Sequence, residues 1–304
     1  MKGLTTAPYD TDDAHSPSFE VPGRVKGYAR PELLASAEWL AESLERPEVR
    51  IIDVRWRPDG TGRQTFGAGH IPGATYVDWA SELVAEEERA NLFLLAPPDQ
   101  VAAALSRSGC GDGSTLVLYD DTASLFAARV WWSIRVYGFE ATRILDGGLA
   151  AWTGESRPLS SATALPAPGS FRPRAQLRMR LTTSDVRGLL GSPDVLLLDA
   201  RAPAEFHGLQ GSSRRLGHIP GAVNLPVAAM TRPGTQRFRD GDELRGQLTR
   251  AGVARGRRMV CYDASGIAAA KLAFVLTLLG YDDVAVYDGG WADWADRLDL
   301  PIER

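Results

Sequence analysis

Apolar residues along this chain gather in short blocks. Segments 49–54, 115–119 and 143–145 are brief apolar runs bounded by Gly, Asp or Pro, and 195–198, 258–262 and 284–287 repeat the pattern. Runs this short read as buried strands. Between them, 124–137 and 266–279 carry apolar residues at helical spacing, and 99–108 and 242–251 are further helix candidates. Strands alternating with helices predict a mainly parallel sheet flanked by helices on both faces, an α/β fold.

The pattern occurs twice. Gly69-His70-Ile71-Pro72-Gly73-Ala74 returns as Gly217-His218-Ile219-Pro220-Gly221-Ala222. Asp53-Val54-Arg55 precedes the first copy and Asp199-Ala200-Arg201 the second. Downstream, Tyr119-Asp120 pairs with Tyr262-Asp263. Asp146-Gly147-Gly148 with Trp152 pairs with Asp288-Gly289-Gly290 with Trp294. The offsets are 199−53 = 146, 218−70 = 148, 262−119 = 143 and 288−146 = 142. Four landmarks in one order at nearly one spacing indicate a duplicated domain. Segment 154–174, rich in Pro, Ala, Ser and Gly, reads as the linker between domains at 29–153 and 175–304. The polar start, 1–28, reads as a disordered tail without the apolar core of a signal peptide.

Charge and cysteine content narrow the partners. A net charge of −4 argues against nucleic acid, whose binders carry a basic excess. No run of 18 apolar residues is present, so no membrane span is expected. Two distant cysteines, Cys110 and Cys261, form no disulfide framework, and cytoplasmic residence is the simple expectation. The scattered His and Cys residues have no zinc spacing, so neither a metal nor a cofactor is expected.

In open parallel sheets, ligands bind beyond the carboxyl ends of the strands. There the second copy has Asp263-Ala264-Ser265-Gly266-Ile267-Ala268, between the strand ending at Tyr262 and a helix expected from Ala269. Small residues let this backbone curl so that N–H groups converge, a cradle suited to an anion.

With these landmarks, the chain resembles the tandem-domain rhodanese family, which includes thiosulfate and 3-mercaptopyruvate sulfurtransferases. The resemblance covers nearly everything but the tail and linker. It implies two rhodanese-like domains, the first inactive and the second catalytic. In that family a cysteine opens the second loop, Cys-x-x-Gly-Val-x-Ala, and carries sulfur as a persulfide to a thiophilic acceptor. Gly266 takes the place of the glycine, Ile267 the valine and Ala269 the alanine, so the cysteine position falls on Asp263. Aspartate forms no persulfide.

A carboxylate here has two expected consequences. Accepting several backbone N–H bonds would favour its charged form and leave the cradle self-occupied. Its charge would also repel an anionic donor, by about 4 kcal/mol at 4 Å and an effective dielectric near 20. Asp263 could instead cap the following helix, or be recruited as a general base or nucleophile. Cys261, inside the strand, reads as a small buried residue rather than a substitute thiol.

Arg201 is either a substrate contact, which the resemblance implies, or a salt-bridged structural residue. Four residues on, where thiosulfate-type members often carry a second arginine, Glu205 stands. Arg214 and Arg215 either add charge at a pocket mouth or lie in a solvated loop. His70 and His218, in identical settings, read as structural. Trp152, Trp291 and Trp294 read as core, and one of Trp131 and Trp132 as reaching the domain interface. Three functions follow: a sulfurtransferase using another thiol, a non-catalytic binding or scaffold pseudoenzyme, or a repurposed enzyme acting through Asp263 on a small polar substrate. The expected partner is a small molecule or anion, with a protein partner also open.

Overall fold

The computed structural model describes residues 27–86 and 92–304. Most of the expected tail, 1–26, lies outside the described residues. The first half contains β1 (Leu34–Ala35), α1 (Ala37–Glu42), β2 (Val49–Asp53), α2 (Gly62–Ala68), β3 (Thr75–Tyr76), α3 (Trp79–Glu82), α4 (Pro98–Arg107), β4 (Thr115–Tyr119), α5 (Leu125–Val136), β5 (Thr142–Leu145) and α6 (Gly148–Gly154). The second half runs β6 (Arg180–Leu181), α7 (Thr183–Leu189), β7 (Val195–Asp199), α8 (Pro203–Phe206), β8 (Val223–Asn224), α9 (Gly241–Arg250), β9 (Arg258–Tyr262), α10 (Ile267–Leu278), β10 (Val284–Tyr287) and α11 (Gly290–Asp296).

Each half is a five-stranded parallel sheet, ordered β1-β5-β4-β2-β3 and β6-β10-β9-β7-β8. The six long apolar runs are the inner strands, with bounds within one residue. The other strands have two residues each. A two-residue strand leaves no alternation to read; it forms because an inner strand already offers a free ladder edge.

Helices α5 and α10 pack against each other across the domain boundary. Trp131 meets Phe274 edge-on there, centroids 5.0 Å apart. Residues 269–278 of α10 are all buried, because its own sheet covers one side and α5 the other. A helix apolar on all faces belongs in such a place. α10 starts two residues earlier than expected, at Ile267, with Gly266 in the left-handed conformation (φ +82°) as its N-cap.

Segment 154–174 has almost no regular structure but is not loose. His70 N–H donates to the Ser160 carbonyl at 2.9 Å and Ser160 N–H to the His70 carbonyl at 2.8 Å. In the second half His218 and Glu303 exchange the same pair at 2.8 and 2.9 Å. The beginning of the linker therefore occupies the position that the C-terminal residues occupy in the second half.

Candidate active-site loop

The repeated motifs lock to one another. In the second half, Arg201 donates from Nε to Asp199 Oδ1 (3.0 Å) and Oδ2 (3.1 Å), and from Nη2 to Asp199 Oδ2 (2.5 Å) and the Gly217 carbonyl (2.8 Å). The Tyr262 hydroxyl accepts from Ile219 N–H at 3.2 Å. Arg55, Asp53, Gly69, Tyr119 and Ile71 repeat the network in the first half. His70 and His218 stack on Phe66 and Phe206 at 3.8 and 3.7 Å, and each Nδ1 pairs with the carbonyl of the same phenylalanine at 2.9 Å. Buried charges are stable when paired and hydrogen-bonded in this way.

The Asp-Gly-Gly turns support the loops after β4 and β9. A side chain at Gly290 (φ +59°) would lie 2.5 Å from the Asp263 carbonyl, and Trp291 N–H donates to that carbonyl at 2.7 Å. Gly148 and Leu149 stand in the same relation to Asp120, at 2.3 and 2.9 Å. Only glycine allows so close a backbone approach at positive φ.

The two loops differ by one residue: four separate Asp120 from Leu125, three separate Asp263 from Ile267. In the longer loop Ala123 and Ser124 are both left-handed (φ 54° and 63°). Four amides then converge on Asp120: Thr122 and Ser124 on Oδ1 at 2.9 Å, Phe126 and Ala127 on Oδ2 at 2.8 and 2.9 Å. In the shorter loop Asp263 is 5% exposed, and its Oδ2 accepts one hydrogen bond, from Ala268 N–H at 3.2 Å. Its Oδ1 has no hydrogen-bond partner among the described residues.

This corrects the expected charge state. Burial pushes the Asp263 carboxyl upward, and the amides of Ala268, Ala269, Gly266 and Ser265 offset that only in part. Removal from water outweighs hydrogen bonding, so the charged form is not strongly favoured. Gly266 is the N-cap residue by position, but the capping side chain is Asp263, whose carboxyl accepts from Ala268 N–H, the second amide of α10.

Around Asp263, the exposed Ala264 offers its carbonyl to Ala292 N–H at 3.0 Å. Ser265, Ile267 and Ala268 are half-buried at the cradle rim. Cys261 is fully buried in the apolar core, and burial pushes its thiol far above the ordinary range. Thiolate chemistry needs the opposite environment.

The three arginines are not gathered around the loop. Arg201 is 6% exposed and bound to Asp199, with its guanidinium 4.8 Å from the Trp291 ring centroid. Arg215 holds the C-terminal segment through the carbonyls of Ala295 (2.9 Å), Leu300 (2.8 Å), Trp294 (3.0 Å) and Arg297 (2.5 Å). Arg214 is exposed and makes no hydrogen bond or ion pair with the described residues. Glu205 caps its own short helix through Ala202 N–H at 3.3 Å.

Sequence reasoning missed the residue that joins this loop to the other domain. Arg129, on α5, is 1% exposed and donates from Nη1 to the Gly266 carbonyl at 3.1 Å and to Asp288 Oδ1 at 3.0 Å. Its Nη2 donates to the Phe93 carbonyl. Asp288 Oδ2 also accepts from Leu95 N–H and Arg180 Nε, both at 2.8 Å. The pseudo-symmetric counterpart of Arg129 on α10 is Lys271, 3% exposed, whose Nζ lies 3.4 Å from Thr231 Oγ1. A cation at the fifth position of each of two mainly apolar helices, Arg129 and Lys271, was the available signal.

Comparison with known proteins agrees with this geometry. The model for the rhodanese-like domain matches residues 36–155 and 182–297. The chain belongs to the rhodanese family. It is 33% identical to the 3-mercaptopyruvate sulfurtransferase of Escherichia coli K12 over 276 residues, 88% of this chain and 96% of that protein. It is 32% identical to the sulfur carrier protein TtuD of Thermus thermophilus over 300 residues, 91% of this chain and 99% of that protein. The crystal structure of the Escherichia coli enzyme SseA superposes with a TM-score of 0.76 at 30% identity, covering 85% of this chain and 98% of that one. The two rhodanese domains expected from the duplication are therefore present, and the relatives include sulfurtransferases and a sulfur carrier protein. Among the described residues, no helix is long and apolar enough to cross a membrane.

Proposed function

We propose that this protein is a rhodanese-family pseudoenzyme that keeps the tandem scaffold for non-covalent binding of a small molecule, an anion or a protein partner in the cytoplasm. Sulfur does not pass through residue 263. The carrying observation is the position of Asp263: a carboxyl 5% exposed and turned onto the Ala268 amide, where the family places a thiol. The two cysteines, both buried and free, offer no accessible replacement. The test is thiocyanate formation from cyanide with thiosulfate or 3-mercaptopyruvate as donor. The wild type should be silent and Asp263→Cys should gain activity. Turnover by the wild type that disappears in Cys261→Ser would overturn the reading.

One observation favours a second reading. Oδ1 of Asp263 has no hydrogen-bond partner among the described residues, and burial raises the carboxyl toward its protonated form. A shielded acid of this kind suits proton transfer to a small polar substrate. On that reading Asp263→Asn abolishes turnover of such a substrate while leaving the protein folded.

A further inference from the structure

On the outer side of the second sheet, beyond the carboxyl ends of β6 and β10, lies a cavity of about 390 Å³. This end of an open parallel sheet is where ligands bind, and the volume suits a small molecule. It is set apart from the Asp263 loop by the Asp288-Gly289-Gly290 turn. Its walls include Arg180, Arg297, Ser184, Asp288 and Asp293, with Leu94 of the first domain as an apolar edge.

Arg180 is only part-satisfied. Its Nε donates to Asp288 Oδ2 at 2.8 Å, which fixes the guanidinium plane. Both Nη atoms have no partner among the described residues. Arg297 holds Asp293 only through contacts of 3.4 Å. The cavity wall carries two arginines, Arg180 and Arg297, and two carboxylates, Asp288 and Asp293, and the buried Arg129 behind it also pairs with Asp288. Both carboxylates are already engaged, Asp288 by two arginines and Asp293 by Arg297 and the Thr183 hydroxyl. With Asp288 shared between Arg129 and Arg180, the planar fork of Arg180 keeps its Nη1–Nη2 edge free. Such a fork matches the two oxygens of a carboxylate.

We propose that this cavity binds a small organic carboxylate, held by the free Nη edge of Arg180 with Arg297 opposite and its carbon chain against Leu94. The site is independent of what Asp263 does.

The test is titration calorimetry on the full chain with pyruvate, succinate and citrate, and with sulfate as comparator. At least one carboxylate should bind saturably with a dissociation constant of about 1 mM or tighter. Arg180→Met should weaken it at least tenfold. Because that variant also removes a partner of Asp288, Ser184→Trp serves as a second probe. It fills the mouth from an exposed position and should block binding with the fold unchanged by circular dichroism. Arg187→Met, outside the cavity, should bind as the wild type does. Absence of saturable carboxylate binding, equal affinity for sulfate, or full binding by Ser184→Trp would each overturn the proposal.

Discussion

Replacing Arg129 with methionine tests how the two domains are held together. The guanidinium is 1% exposed and joins three backbones: its own helix, the Phe93 carbonyl of the first domain and the Gly266 carbonyl of the second. It also neutralises Asp288, which is 2% exposed. Removing one partner of a buried pair costs about 3–5 kcal/mol, because the other charge is left uncompensated. Asp288 keeps the Arg180 Nε and Leu95 N–H bonds, both 2.8 Å, which places the cost near the lower end. About 3 kcal/mol is then expected, a fall in Tm of about 5 °C for a chain of 304 residues. Urea denaturation of the wild type, Arg129→Met, Asp288→Asn and the double variant measures the coupling. The double variant should be more stable than Arg129→Met alone, since it no longer buries an unmatched charge. Amide exchange in the Asp263 loop should accelerate in Arg129→Met, because the loop loses its anchor at Gly266. A single-variant cost below about 1 kcal/mol, the range of an exposed ion pair, would falsify the reasoning.

Two further variants read the buried charges through pH. Burial raises the Asp146 carboxyl from 3.8 to about 6, against one offsetting hydrogen bond from Phe238 N–H at 2.9 Å. The native state thus binds this proton more tightly than the unfolded chain, so the stability cost is full above about pH 6 and disappears as pH falls toward 3.8. Asp146→Asn keeps the acceptor without the charge. It should stabilise at pH 7.5 by up to about 3 kcal/mol, from 1.36 kcal/mol per pKa unit, and by little near pH 4; a benefit independent of pH in calorimetry would refute this. Lys271 is the opposite case: burial lowers its amine from 10.5 to about 8, so its cost is full below about pH 8 and fades as pH rises toward 10.5. Lys271→Met should raise Tm at pH 7 and lose that advantage near pH 10, and a lower Tm at pH 7 would show that the amine stabilises the interface.

The duplication, the inner strands, the long helices and the residue at the loop's opening position were legible in the sequence. Each depends on local chemistry: alternating apolar blocks, glycines where two backbones touch, and the identity of one side chain. Tertiary structure alone decided the rest. The roles of Arg201 and Arg215 depend on which carbonyls lie within reach, and those carbonyls come from residues 16 and about 80 positions away. Arg129 becomes part of the second-domain site only because α5 packs on α10, bringing together residues 137 positions apart. The state of Asp263 followed the same logic. Its residue type offered a charged, amide-wrapped carboxylate, a helix cap, or a recruited base or nucleophile. Burial decided the charge: Asp120, wrapped by four amides in the longer loop, is pushed upward just as Asp263 is, so removal from water outweighs the amides in both loops. Hydrogen-bond geometry and desolvation are properties of the assembled fold, so no pattern along the chain could settle their balance.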